Sequence, residues 1–97
     1  MADKGGAAPL AAMLGDAIAV SRRERGMTQE GLGQASGVHP TVLSRLERGG
    51  GNPSLSTLLR ISDALGMELS ELLRRAEEIR RLRSAASTDP PRPFTRP

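Results

Sequence analysis

Cysteine is missing from the whole 97-residue chain, which excludes disulfide staples and thiolate metal sites. The single histidine, His39, cannot make a zinc site alone, and it leaves no set of nucleophile, base and orienting group for covalent catalysis. Tryptophan and tyrosine are absent and Phe94 is the one aromatic residue. The core must therefore be built from Leu, Ile, Val, Met and Ala, a palette that favours helices over sheets. No segment approaches the roughly 20 apolar residues of a membrane span, and the N-terminal MADKGGAAP has no apolar stretch of the secretory kind. These absences lead us to expect no enzyme, no cofactor or metal, no membrane contact and a cytoplasmic location.

Lysine is nearly absent as well. Thirteen of the fourteen basic residues are arginine, whose planar fork suits phosphate and guanine better than an ammonium does. The net charge of +3 is too small to identify a nucleic-acid partner on its own. A chain of this length has room for one small domain plus tails.

What is present is helical periodicity punctuated by glycine and proline. Met1 to Pro9 reads as a flexible arm of small residues. A first helix follows, with Leu10, Met13, Leu14, Ala17, Ile18 and Ser21 on one side and Gly26 at its end. Thr28 is a suitable N-cap for a second helix, with Gln29 and Glu30 in the first turn where exposed amides favour them. Gly37 supplies a sharp turn, and Pro40 suits the first position of a third helix because its missing N–H would have been unpaired anyway. Leu32, Val38, Leu43 and Leu46 fall where two crossed helices bury them. Pro40, Thr41, Ser44, Arg45 and Arg48 lie on the opposite side of the third helix. Gly31 and Gly33 weaken the second helix by roughly 0.5 to 1 kcal/mol each relative to alanine. Gly33 makes room for a close crossing, whereas Gly31 has no evident purpose.

After the Gly49 to Pro53 loop, Ser54 caps a fourth helix with Leu55, Leu58, Leu59, Ile61, Ser62 and Leu65 on its apolar side, and Gly66 stops it. A fifth helix runs from Leu69 to Ser84, with Glu71–Arg75 and Glu77–Arg81 as pairs on its wet side. Residues 85–97 hold four prolines within the last eight positions and read as a disordered tail.

The run TQEGLGQASGVHPTVLSRLERG, from Thr28 to Gly49, resembles the helix-turn-helix of the phage-repressor/Cro-like (XRE) family. The resemblance extends without a gap from about Leu14 to Leu73. It implies an all-α, five-helix lambda-repressor-like DNA-binding domain over residues 10–84, here with an extended fifth helix. The helix-turn-helix itself occupies residues 28–48. It further implies a transcriptional regulator, a repressor by expectation, that places its third helix in the major groove of double-stranded DNA. Thr41 and Arg45, one turn apart, are then the leading base readers, with Pro40 and Ser44 beside them. Gln29 matches a residue that bonds a backbone phosphate, with Thr28, His39, Arg48, Gly50 and Asn52 as further phosphate candidates. His39 stands where the family more often has serine or threonine, so weak capping or a plain surface role is the alternative for it. Arg22 and Glu47 match a pair that fixes the angle of the third helix.

In the fifth helix, Leu69, Leu72 and Leu73 complete the core. Ala76, Ile79 and Leu82 lie beyond it, open either to a homodimer contact or to docking against the first helix. The tail is a candidate surface for a protein partner. The competing functions on the same fold are a protein-interaction adaptor or coactivator and an antitoxin that binds both DNA and a toxin.

Overall fold

The computed structural model describes the backbone of residues 4–87. Its five helices are α1 (Lys4–Glu24), α2 (Gln29–Ser36), α3 (Pro40–Glu47), α4 (Leu55–Ala64) and α5 (Leu69–Ser87), and the described residues contain no strand. The all-α expectation holds.

Helix starts obey the capping chemistry of the sequence. Thr28 Oγ1 accepts the Gly31 amide at 2.9 Å, and Ser54 Oγ accepts that of Thr57 at 3.1 Å. A Cβ on Gly31 would lie 3.2 Å from Thr28 Oγ1, so a glycine there leaves the capping oxygen unobstructed. This supplies the purpose that the sequence did not reveal. Gly37 closes α2 at φ 77° and donates to the Gly33 carbonyl, a conformation that a side chain would strain.

Two boundaries move. α1 begins at Lys4, so residues 4–9 are helical where a loose arm is expected. Pro9 lacks the amide hydrogen of an ordinary helical residue, and its place near the helix's start limits that cost to the first turns. At the other end α5 continues to Ser87, three residues past its expected stop, because no proline occurs before Pro90. The expected disorder of the remaining tail concerns residues 88–97, outside the described residues.

Met13, Leu14, Ala17, Ile18, Leu32, Val38, Leu43, Leu46, Leu58, Ile61, Leu65, Met67, Leu72 and Ala76 form one buried cluster. α4 departs from its expected apolar side: Leu58 and Ile61 are buried, whereas Leu55 is 71% and Leu59 48% exposed. Leu58, Ile61 and Leu65 lie within about 60° of one another around the helix, whereas Leu55 and Leu59 lie about 60° and 100° beyond Leu58, at the edge of the side that packs on α2 and α5.

α5 folds back along α1, the most extensive helix pairing in the molecule. Ala76 is fully buried and Ile79 packs on the core, so of the three dimer candidates only Leu82 is exposed. Arg75 donates to Ser21 Oγ at 3.1 Å and to Glu24 at 2.8 Å, and Arg83 pairs with Asp16. On the wet side the register also differs from expectation. Glu77 bonds Arg80 and Glu78 bonds Arg81, three residues apart rather than four, while Glu71 and Arg75 stand at a loose 3.9 Å.

Candidate nucleic-acid interface

α3 is attached along one side and free along the other. Leu43 and Leu46 are buried, and the attachment continues through Glu47. Arg22 Nε donates to Glu47 Oε2 at 2.8 Å and Arg22 Nη2 to Oε1 at 2.9 Å, a two-pronged bond from α1 to the end of α3. A third Arg22 nitrogen donates to the Met27 carbonyl at 2.8 Å. The family-implied pair is therefore formed, with side chains only 11% and 6% exposed. Burial pushes the Glu47 carboxyl up, but the bonds from Arg22 and Gln29 and the charges of Arg22 and Arg23 outweigh it and hold it below its ordinary value. The bond to Glu47 raises Arg22 correspondingly.

The same carboxylate changes the reading of Gln29, whose amide nitrogen donates to Glu47 Oε1 at 2.9 Å. Gln29 is turned inward. Its structural work is to brace the start of α2 against the end of α3. His39 also takes the capping role that the sequence left as an alternative: its Nδ1 accepts the Thr41 amide at 3.0 Å, so it is the N-cap of α3.

Two features of this framework lie beyond the sequence reading. A Cβ on Gly15 would stand 1.8 Å from the Leu46 carbonyl oxygen and 3.2 Å from Glu47 Cα. α1 thus meets the backbone of α3 at a point where no side chain fits. The signal was present as small residues at Ala12, Gly15 and Ala19, spaced to share one helix side. Ser36 is the second: buried in the turn, it donates to the Gly33 carbonyl at 3.4 Å and accepts the Val38 amide at 3.2 Å. Gly33 fulfils its expected role, since a Cβ there would lie 2.8 Å from the Val38 carbonyl.

On the free side Thr41, Val42, Arg45 and Arg48 are exposed and Ser44 is half-buried. Arg48 donates to Ser44 Oγ, which ties both to one edge of the helix. The Pro40 ring lies against Gly33, within 3.1 Å of where a Cβ would stand, so it faces α2 rather than the side carrying Thr41 and Arg45. The three-glycine loop is more than a connector. Gly50 donates its amide to the Arg45 carbonyl at 2.9 Å, and a Cβ on it would lie 3.4 Å from Arg45 Cγ. Small residues there leave the Arg45 stem free to extend. Asn52 is exposed in the same loop.

Among the described residues no group of three His, Asp or Glu side chains could hold a metal ion, and no helix is long and apolar enough to cross a membrane.

Two short helices crossed at a glycine turn, with the second pinned by its end and bare on its outer side, define a helix-turn-helix protein. The chain belongs to the helix-turn-helix family HTH_3, whose model matches residues 18–72. It is 41% identical over 66 residues to the HTH-type transcriptional regulator y4dJ of Sinorhizobium fredii, covering 68% of this chain and 86% of that protein. The immunity repressor of Bacillus phage phi105 is 37% identical over 60 residues, covering 62% of this chain and 42% of that protein. Among solved structures, the clp gene regulator ClgR of Corynebacterium glutamicum superimposes with a TM-score of 0.77 at 35% identity, covering 79% of this chain and 82% of that one.

Proposed function

We propose that the protein is a sequence-specific DNA-binding transcriptional regulator that inserts α3 into the major groove and uses no catalytic chemistry. The observation that carries this reading is the two-sidedness of α3. Arg45 and Thr41 project from a helix whose other side is buried and whose end is bonded to α1. A guanidinium held this way can fork onto guanine O6 and N7. Arg48, the α2 start with the remaining Gln29 hydrogen, and the glycine loop with Asn52 lie beside it to meet phosphates, which orient the protein without reading sequence. Repression is the favoured direction, supported by the phage immunity repressor among the relatives. Its place of action is wherever the chromosome lies.

Selection of duplexes from a random library at fixed salt tests the reading, because affinity without a salt concentration has no meaning. A defined motif is expected, and Arg45→Ala should lose discrimination at one base pair by roughly 1 to 3 kcal/mol. Equal, weak binding to every duplex would instead favour an adaptor that works through protein contacts. An unchanged motif with Arg45→Ala would remove the base-reading role.

We further propose that two copies pair through the outer end of α5, since Leu82 is 62% exposed there and half-sites of this fold are read by dimers. Truncation after Leu73 would delete the buried Ala76, so it cannot test pairing cleanly. Leu82→Glu can: light scattering should show the mass fall by half, and an unchanged mass would refute pairing at this position.

A further inference from the structure

We propose that Val42 is a specificity-determining residue that reads the C5-methyl group of a thymine beside the guanine taken by Arg45. The inference rests on the DNA-binding reading of α3 and names a feature of the site it prefers.

With 3.6 residues per turn, the side chains of the free side fall around α3 in the order Ser44, Arg48, Thr41, Arg45, Val42, with Arg45 about 40° from Thr41 and about 60° from Val42. The two edges of this surface differ in kind. Ser44 and Arg48 are bonded to each other on one edge, which makes it polar. The other edge is Val42, 41% exposed, and its outermost atoms are two methyl groups. A β-branched residue loses side-chain freedom in a helix, so alanine would serve α3 better if the position had only a local task. The one other apolar residue near the start of α3, Pro40, has its ring against Gly33 and is spent on the crossing with α2. Apart from the methyl of Thr41, apolar contact from this helix to a base therefore falls to Val42.

Only thymine among the four bases presents a methyl group in the major groove, and an aliphatic side chain recognises it by burying it. Since Val42 flanks Arg45 on the helix, the methyl belongs to a base pair neighbouring the arginine's guanine. Threonine at 41, on the far side of Arg45, offers a hydroxyl and a methyl and can meet either kind of base edge.

The test uses the full chain and the duplex it selects from a random library. The selected motif should contain a thymine adjacent to the guanine whose preference Arg45→Ala abolishes. Replacing that thymine by deoxyuridine removes the methyl and nothing else. Wild-type affinity should then fall roughly four-fold, the scale of one buried methyl, while Val42→Ala, whose shorter side chain covers less of the thymine methyl, should show a smaller loss. Val42 is exposed and alanine is a better helix former, so the variant keeps its fold, checked by an unchanged melting temperature. Three results overturn the proposal: a motif without the thymine, equal wild-type binding to the thymine and uridine duplexes, or an undiminished thymine preference in Val42→Ala. Enrichment of no motif at all would instead remove the DNA-reading assignment itself, and this inference with it.

Discussion

The two sides of α3 make opposite demands on its residues. On the inner side Leu43 and Leu46 are buried, Glu47 takes bonds from both Arg22 and Gln29, and Gly15 admits the α3 backbone against α1. On the outer side Thr41, Val42, Arg45 and Arg48 are exposed. An eight-residue helix is too short to be stable in water alone. Its shape and angle are therefore supplied by the inner contacts, and the selectivity proposed for it by residues that contribute little to the fold. Changes on the inner side should alter stability and binding together, and changes on the outer side should alter binding alone.

The largest effect is expected at Gly15. A Cβ 1.8 Å from the Leu46 carbonyl forces two backbones apart, at a cost of about 3 kcal/mol for overpacking. Alanine recovers about 1 kcal/mol through helix propensity. The net loss of about 2 kcal/mol should lower the melting temperature by on the order of 10 °C, and the tilted α3 should bind its selected duplex less well. Melting by circular dichroism checks this. An unchanged transition would mean that α1 does not set the position of α3.

A smaller effect with a distinctive pH signature belongs to Glu47. Its carboxyl is held below its ordinary value, so its stabilisation is complete above the usual glutamate pKa of about 4.3 and disappears as pH falls through the lowered one. Glu47→Gln should cost about 1.5 kcal/mol at neutral pH, the scale of hydrogen bonds to a charged group. The gap between wild type and variant should close on acidification below about pH 4. Arg22, already far above any working pH and raised further by its partner, adds no slope in that range. A gap independent of pH in denaturant titrations would show that charge at Glu47 is not what secures the end of α3.

The same division explains what could be read from sequence. Caps and turns are local, so Thr28, Gly37, Pro40 and Ser54 disclosed the helix boundaries they set. The buried stripes of α1 and α3 followed from periodicity for the same reason. Contacts between distant segments were less legible. Whether Ala76 and Ile79 face α1 or a second copy depends on how α5 turns back, which no pattern within α5 encodes. Gln29 is polar and at a helix start, and only the third dimension shows Glu47 within reach of its amide. Leu55 and Leu59 satisfied the helical period as well as Leu58 and Ile61 did, because periodicity locates an apolar side but not how much of it a neighbour covers. On the recognition surface Thr41 and Arg45 stood out as polar groups in an exposed arc, whereas Val42 passed as one more aliphatic residue until its exposure was known.

The smallest effect on stability, and the sharpest check on the comparison, is Arg48→Ala. The residue is exposed and its one described side-chain bond runs to Ser44 on the same helix, so its removal should change folding by no more than about 0.5 kcal/mol. Its effect on DNA should still be measurable. A phosphate contact displaces one condensed counterion, so its loss reduces the slope of log affinity against log salt by about one and weakens selected and unrelated duplexes alike. A base contact would behave differently, relaxing the motif at one position. Titrations of both duplexes at several salt concentrations separate these outcomes. If Arg48→Ala instead lowered the melting temperature as Gly15→Ala does, the outer side of α3 would also be holding the fold, and the division between support and recognition would fail at that residue.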